Sequence, residues 1–172
     1  LYLGRLNRHK GMPDLAAAFA QMDCQDAWLL VVGPDEEGMQ DEMQARIGAS
    51  RDRCRFVGYT DRPEDYMAAA DVFCLPSYRE GFGMVVIEAA AAGIPAVASR
   101  IYGVTDAVED GVTGLLHRPG DTAGIAREMA LIAGDASRRI EMGRAARERA
   151  LSLFSRSTIT VAWVRFFGQL LD

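Results

Sequence analysis

Positive charge is in short supply in this sequence. Its 172 residues include 19 Lys and Arg against 24 Asp and Glu, which gives a net charge of −5 at pH 7. A protein that binds nucleic acid or anionic membranes needs a basic face, so this balance argues against both classes of partner. No stretch approaches the roughly 18 apolar residues of a membrane span, and no signal-peptide pattern is found. These features predict a soluble, cytoplasmic protein.

Cysteine and histidine are scarce as well. Cys24, Cys54 and Cys74 are odd in number, lack Cys-x-x-Cys spacing and lie in or beside apolar runs. This pattern predicts core thiols in a reducing compartment and argues against a disulfide framework. His9 and His117 stand far apart without ligand-like neighbours, so the sequence predicts no metal site.

What the sequence does contain is a regular alternation of short apolar runs with longer helical patterns. Its 49% hydrophobic and 25% charged residues are typical of a globular domain. The predicted strands, which read as continuous apolar runs, cover residues 1–3, 28–32, 55–57, 72–75, 96–98 and 114–116. The predicted helices cover residues 13–22, 36–47, 62–70 (with Asp61 as N-cap), 84–92, 121–133, 137–153 and 157–171. This order predicts an α/β fold: a Rossmann-like doubly wound parallel sheet of about six strands with C-terminal helices.

The first residues form a strand-like run without a preceding methionine, so we expect a domain excised from a longer protein. In a doubly wound sheet, ligands bind beyond the carboxyl ends of the strands, near the point where the strand order reverses. The functional residues are therefore expected in the loops at that edge, which cover residues 4–11, 33–38, 58–61, 76–83 and 99–105.

The strongest motif follows the fourth predicted strand. The run 76–83 (PSYREGFG) leads into a helix, and seven residues separate Glu80 from Glu88. The unpaired N–H groups at a helix N-terminus bind phosphate, and two flanking carboxylates can bind the hydroxyl groups of a sugar and a ribose. A dinucleotide fingerprint is the first alternative, but Val86 stands where its third glycine belongs. The second alternative is that Glu88 is a solvated residue of the helix surface. The apolar neighbours of Glu88 instead predict a carboxylate that is enclosed by protein and needs hydrogen-bond or charged partners.

A second motif follows the first predicted strand. Arg5 can bind phosphate oxygens through its planar guanidinium, and Lys10, the only lysine in the chain, can add a point charge. The spacing does not fit the P-loop pattern G-x-x-x-x-G-K-[ST], which disfavours a P-loop nucleotidase. Such a pair is often a surface charge, but at the carboxyl end of a strand in the same sheet it becomes a candidate anion site.

Taken in order along the chain, these motifs resemble the family-4 glycosyltransferases. The resemblance is carried by Gly4-Arg5, Lys10-Gly11, Val32-Gly33-Pro34, Phe56-Val57-Gly58-Tyr59, Asp71-Val72, Pro76-Ser77, the Glu80–Glu88 pair and the run 110–116 (DGVTGLL). It covers essentially the whole chain. It implies that residues 1–172 form the C-terminal, nucleotide-sugar-binding domain of a GT-B enzyme, with the N-terminal acceptor domain absent. The run 102–106 (YGVTD) departs from the pattern, because many relatives carry a double glycine and a glutamate there.

The resemblance implies a role for each matching residue. The implied catalytic residues are Arg5 and Lys10, which hold the diphosphate, and Glu80, which binds hydroxyl groups of the donor sugar. Glu88 is implied to hold the ribose. The remaining implied donor-binding residues lie against the sugar, the phosphates or the base: Gly4, Gly33, Tyr59, Thr60, Gly81, Phe82, Gly83, Met84 and Val85. Tyr59 fits a packed loop aromatic equally well.

The implied reaction is transfer of a sugar, with retention, from a UDP-linked donor to a hydroxyl group of a sugar or lipid-linked acceptor. Its implied setting is bacterial cell-surface polysaccharide or glycolipid synthesis. No Asp-x-Asp motif is present to hold a divalent ion, and neither a metal nor another cofactor is expected. Arg5, Lys10 and the helix N-terminus would stabilise the leaving diphosphate instead. The acceptor and any membrane contact are expected on the absent domain.

Two other functions stay open. A non-catalytic nucleotide-sugar-binding module would keep the fold without the transfer, although the intact candidate residues argue against a decayed site. A nucleotide-sugar epimerase on the same fold would be separated from a transferase by product analysis. The last predicted helix leaves a further choice, because its apolar side chains are expected either to be exposed in this chain or to pack in the core: Ile159, Val161, Trp163, Val164, Phe166 and Phe167.

Overall fold

Six strands alternate with eight helices in the computed structural model, which describes residues 1–171. The strands are β1 (Tyr2–Leu3), β2 (Leu29–Val32), β3 (Cys54–Gly58), β4 (Phe73–Leu75), β5 (Ala96–Ser99) and β6 (Gly114–His117). The helices are α1 (Met12–Gln21), α2 (Met39–Ile47), α3 (Pro63–Ala68), α4 (Met84–Ala91), α5 (Val104–Ala107), α6 (Thr122–Gly134), α7 (Ala136–Phe154) and α8 (Arg156–Leu171). Short 3-10 helices cover Arg8–Lys10 and Gly48–Arg53.

The strands pair in parallel, in two groups of three with the orders β1-β2-β3 and β4-β5-β6. Leu1 joins the two groups. Its amino group donates to the carbonyl oxygen of Val72 at 2.8 Å, and its carbonyl oxygen accepts from the N–H of Cys74 at 2.8 Å. The resulting order, β3-β2-β1-β4-β5-β6, is that of the Rossmann fold, and it reverses between β1 and β4. The predicted doubly wound α/β architecture is confirmed.

Helices cover the sheet in two groups. α1 packs on α2 and α6, whereas α4 packs on α5 and α7. Because crossover connections are right-handed and run in opposite directions from β1 and β4, α1 and α4 lie on opposite faces. Leu15 on α1 and Val86 on α4 are buried in the hydrophobic core. Burial of an aliphatic side chain of this size contributes about 1.5–3 kcal/mol.

Strand β3 is not buried throughout, as a strand read as a continuous apolar run is expected to be. Cys54 is buried, Arg55 and Val57 are exposed, and Phe56 between them is half-buried. The alternation arises because β3 is the outer strand of its group, pairs only with β2 and lies beyond the helices that cover the centre.

Helix starts differ from the prediction where side chains bind nearby N–H groups. α2 begins at Met39 rather than residue 36, because the Asp35 carboxylate accepts the N–H of Met39 at 2.7 Å and that of Gln40 at 3.0 Å. The predicted N-cap at Asp61 is wrong: Arg62 precedes α3, and the Thr60 hydroxyl accepts the N–H of Arg62 at 3.0 Å. Helix α5 was not predicted, because four residues are too few to show a helical period.

Two of the three cysteines lie in the core, as predicted. Cys54 and Cys74 are buried and Cys24 is half-buried, and all three are free thiols. Burial raises the pKa of the Cys54 thiol to about 11 and that of Cys74 to about 12, which keeps both thiols protonated and unreactive at neutral pH.

Helix α8 carries the apolar side chains whose burial the sequence left open. The six named above are exposed, by between 41% for Ile159 and 68% for Val164. Trp163 stacks on Phe167 with a centroid distance of 5.4 Å, so these aromatic rings pack mainly on one another. None of the helices within residues 1–171 is both long enough and apolar enough to cross a membrane.

Candidate functional site

The loops that follow β1, β2 and β3 contact one another at the carboxyl edge of the sheet. The N–H of Gly33, after β2, donates to the carbonyl oxygen of Gly58, after β3, at 2.7 Å. Gly33 also lies so close to the loop after β1 that a Cβ atom on it would clash with the carbonyl oxygen of Gly4. Its φ of 137° is a second reason for glycine at this position. The predicted Gly4 and Gly33 therefore come together.

The β1–α1 loop (residues 4–11) meets the β4–α4 loop (residues 76–83) at the point where the strand order reverses. Lys10 Nζ lies 2.6 Å from Glu80 Oε1, and the Ser77 hydroxyl donates to the same oxygen at 2.7 Å. The Tyr78 N–H donates to the carbonyl oxygen of His9 at 2.8 Å. With only 21% of the Lys10 side chain and 11% of the Glu80 side chain exposed, the pair is largely shielded from solvent.

Arg5 is placed differently from Lys10. Its guanidinium lies 3.4 Å from Glu36 Oε1, and the Arg5 side chain is 62% exposed. Exposed pairs of this kind contribute about 1 kcal/mol or less, so Arg5 can leave Glu36 for a stronger anion at little cost. The structure thus brings Lys10 and Glu80 together and leaves Arg5 at the rim of the same edge.

Helix α4 presents its N-terminus to this edge. Gly83 precedes the helix, and no side chain caps it. The first N–H groups of a helix have no intrahelical partner, so the predicted Met84, which is exposed, and Val85, which is half-buried, have N–H groups left for a ligand, whereas the predicted Gly83 is buried. The positive end of the helix dipole adds to the attraction for an anion.

The prediction that Glu88 is enclosed is wrong. Helix α4 buries Val86 and Ile87 on its inner side, whereas Glu88 lies on the exposed side with Met84, one turn before it. Partial desolvation by the surrounding protein raises the pKa of the Glu88 carboxyl. Among residues 1–171 no side chain forms an ion pair or hydrogen bond with Glu88, so the carboxylate is open to a ligand.

The remaining predicted residues flank the two loops. Tyr59 and Thr60 follow β3, and 79% of Tyr59 is exposed, so it is not a packed loop aromatic. Gly81 is exposed, whereas Phe82 is half-buried and meets the ring of Phe154 edge to face, with a centroid distance of 5.6 Å. Phe82 therefore supports the β4–α4 loop with its side chain and can offer a ligand only its backbone.

Comparison with known proteins identifies the family. The sequence matches the family described as "Glycosyl transferases group 1" over residues 1–149. The chain belongs to this family. Glycogen synthase of Mycobacterium tuberculosis (strain CDC 1551 / Oshkosh) is 36% identical to it over 171 residues, which cover 97% of this chain and 41% of that protein. The lipopolysaccharide core biosynthesis glycosyltransferase LpsE of Rhizobium meliloti (strain 1021) is 33% identical over 167 residues, covering 97% of this chain and 48% of LpsE.

A solved glycosyltransferase structure has the same fold as this chain. HepE of Anabaena, in complex with UDP and glucose, is similar with a TM-score of 0.88 and 28% sequence identity, covering 98% of this chain and 47% of HepE. The group 1 chain thus spans less than half the length of these relatives, and its α/β fold corresponds to one half of a GT-B glycosyltransferase.

Two residues that support the site, Ser77 and Asp14, were not among the predicted site residues. Ser77 could have been found, since it lies three residues before Glu80 in the motif itself. Asp14 gave no signal: its carboxylate accepts a hydrogen bond of 2.7 Å from the Tyr78 hydroxyl, 64 positions away in the sequence. This bond ties the β4–α4 loop to the first turn of α1, and it raises the pKa of the Tyr78 hydroxyl.

A cavity of about 310 Å³ lies elsewhere, at the amino ends of the strands. Phe19, Trp28, Met129 and the Asp71–Arg139 ion pair are among its lining residues. None of the predicted site residues lines it, so the cavity is separate from the candidate site. Within residues 1–171 no three His, Cys, Asp or Glu side chains are grouped so as to hold a metal ion.

Proposed function

We propose that this chain binds a nucleoside diphosphate sugar, UDP-linked, at the carboxyl edge of its sheet. The observation that carries the proposal is the Lys10–Glu80 ion pair beside the uncapped start of α4. A cation, a carboxylate and free N–H groups meet there, which are the groups needed for a diphosphate joined to a sugar. UDP is supported by HepE, whose structures include complexes with UDP and with UDP-glucose.

Glu80 is arranged to serve two partners at once. Its Oε1 accepts from both Lys10 and Ser77, and no hydrogen bond within residues 1–171 involves its Oε2. The second oxygen can therefore accept a hydrogen bond from a donor-sugar hydroxyl while the first keeps Lys10 beside the diphosphate. Glu80 acts in this proposal as a positioning group for sugar and lysine, and not as a general acid or base.

Stabilisation of the leaving group follows from the same arrangement. When the bond between the sugar and the diphosphate breaks, negative charge develops on the diphosphate. Lys10, the N–H groups at the start of α4, and Arg5 once released from Glu36 would neutralise this charge. In this proposal no metal ion or other cofactor is required.

For the whole protein we propose sugar transfer, with retention, to a hydroxyl group presented by an N-terminal acceptor domain. Residues 1–172 are then the donor-binding domain. The name of the relative LpsE supports a role in bacterial surface polysaccharide or glycolipid synthesis. We propose the cytoplasm as the place of this reaction.

Thermal unfolding of the chain with UDP, GDP or ADP, and with a sugar conjugate of each, tests the proposal. A ligand at ten times its Kd adds about 1.4 kcal/mol of stability. For a domain of this size, that raises Tm by roughly 3–6 °C. UDP and a UDP-sugar are expected to give this shift, with smaller or no shifts from GDP and ADP.

Two variants make the test specific to the site. Lys10→Ala is expected to reduce the UDP shift, because it removes the cation next to α4. Arg8→Ala removes an arginine of the same loop whose side chain pairs with Glu42 at 2.7 Å and not with Glu80, so the UDP shift should persist. No stabilisation by any of the nucleotides, or equal shifts in wild type and Lys10→Ala, would overturn the proposal.

A further inference from the structure

Tyr102 lies at the carboxyl edge of the sheet, in the loop between β5 and α5, and 86% of its surface is exposed. The next residue, Gly103, is buried against the β4–α4 loop. A Cβ atom on Gly103 would clash with the carbonyl oxygen of Gly81 and would lie 3.1 Å from the Cα atom of Phe82. This close approach holds the Tyr102 backbone beside the residues that follow Glu80, and the Tyr102 side chain extends largely into solvent.

The Tyr102 ring offers a particular chemistry at this position. An aromatic face carries partial negative charge, so it attracts the weakly positive C–H groups on one face of a pyranose ring and does not attract phosphate. Tyrosine also has only two side-chain torsions, so ordering it against a ligand costs little conformational entropy.

A second exposed tyrosine shows which part of the donor Tyr102 can reach. Tyr59 follows β3, and in the order β3-β2-β1-β4-β5 four strand spacings separate it from the end of β5. At about 4.8 Å each, these spacings amount to roughly 19 Å. Lys10 and the start of α4 lie between the two tyrosines, so a donor with its diphosphate there would extend its nucleoside toward Tyr59 and its sugar toward Tyr102.

We propose that Tyr102 stacks on the transferred hexose of the donor and thereby favours the sugar-bearing nucleotide over the free nucleotide. The inference rests on the proposed function, because it takes the diphosphate to lie at Lys10 and α4. Tyr102 is in this view a specificity-determining residue, and the affinity it adds belongs to the sugar alone.

Calorimetric titration of the chain with UDP and with UDP-glucose tests this assignment in wild type, Tyr102→Ala, Tyr102→Phe and Tyr59→Ala. Tyr102→Ala is expected to weaken UDP-glucose binding about three- to tenfold, the range of a single aromatic contact, and to leave UDP binding unchanged. Tyr102→Phe keeps the ring and should restore wild-type affinity. Tyr59→Ala, a control with similar exposure, should weaken UDP and UDP-glucose equally.

The outcomes separate this inference from the proposed function. If wild type binds neither ligand, both are overturned. If wild type binds UDP but Tyr102→Ala changes UDP and UDP-glucose equally, or changes neither, only the role of Tyr102 is overturned. Because the ring is exposed, Tm of Tyr102→Ala should stay within about 1 °C of wild type. A larger fall would show that Tyr102 supports the fold, and would also count against the inference.

Discussion

At the scale of single residues, the charged groups at the carboxyl edge differ in how firmly they are held. Lys10 is fixed at 2.6 Å from Glu80 in a largely shielded pair, whereas Arg5 is exposed and 3.4 Å from Glu36. A cation that already stands in place when a ligand arrives needs little reorganisation, which favours Lys10 as the main electrostatic group. Arg5 must first change partner.

Replacement of either cation by alanine is expected to slow turnover of the whole protein. Loss of one preorganised donor to a developing anion typically costs about 3–4 kcal/mol in the barrier. Lys10→Ala and Arg5→Ala should therefore each lower kcat by roughly two orders of magnitude or more. Steady-state kinetics would measure these kcat values, with the nucleotide sugar that stabilises the chain in the thermal unfolding experiment as donor. Arg8→Ala serves as the matched control, and near-normal kcat in both site variants would contradict the role of these cations.

At the scale of elements, the end of α7 supports the β4–α4 loop. Phe154, the last residue of α7, meets Phe82 edge to face at 5.6 Å, and both rings are half-buried. Phe82 lies between Glu80 and the start of α4, so its anchorage limits the motion of both groups. Helix α7 thus stabilises the site although it contributes no residue to it.

Phe154→Ala is expected to weaken UDP binding about two- to tenfold, because an aromatic pair of this geometry contributes about 0.5–1.5 kcal/mol and its loss loosens the loop. Calorimetric Kd values would check this. Leu153→Ala changes the adjacent residue, which is 45% exposed, and should leave the Kd unchanged. Equal affinity of wild type and Phe154→Ala would show that the loop is held without this contact.

At the scale of the whole molecule, one carboxyl group works against stability at neutral pH. Glu128 on α6 is half-buried, and its Oε2 is buried with no hydrogen-bond partner within residues 1–171. Desolvation raises the pKa of Glu128 to about 7; the charge of Arg127 opposes this rise, and the charges of Asp110 and Asp121 add to it. The folded protein therefore binds this proton more tightly than the unfolded chain does. Protonated Glu128 therefore contributes to the free energy of unfolding. This contribution is fully present below the unfolded pKa of about 4.5 and is lost as the pH rises through the folded pKa of about 7.

Glu128→Gln should accordingly raise stability at pH 8 relative to wild type, with the advantage shrinking as the pH falls toward 4.5. The carboxyl is partly screened by solvent, so we expect a gain of only about 1 kcal/mol, or roughly 2–4 °C in Tm. Thermal melts of the two proteins between pH 4.5 and 8 would show it. Glu141→Gln, the same change at an exposed position on α7, serves as the matched control. A Glu128→Gln difference that is flat across this range would contradict the assignment.

The group 1 chain alone is expected to bind a nucleotide sugar weakly and to transfer nothing. The site lies on an open edge of the sheet, and transfer requires a second surface that excludes water and holds the acceptor. Chromatographic detection of products after incubation with UDP-glucose and candidate sugar acceptors would test this. Robust transfer by the chain alone would refute the need for another domain.

The sequence by itself determined the order of strands and helices, because burial on a parallel sheet requires continuous apolar runs and helices on the sheet require periodic ones. It also placed Arg5, Lys10 and Glu80 in loops that follow strands, since glycines and charged residues interrupt the apolar pattern there. It did not reveal α5 or the start of α2, where a few residues or one side-chain hydrogen bond decide the outcome. Nor did it reveal the exposure of β3, which follows from the position of β3 as the outer strand.

Only the tertiary structure decided which loops touch. The Lys10–Glu80 pair joins residues 70 positions apart and the Tyr78–Asp14 bond joins residues 64 positions apart, and no local pattern encodes either distance. The exposure of Glu88 likewise depends on which side of α4 faces the sheet, and the apolar residues around Glu88 in sequence do not surround it in space. Local composition sets the elements, whereas packing of the elements sets the contacts between their ends.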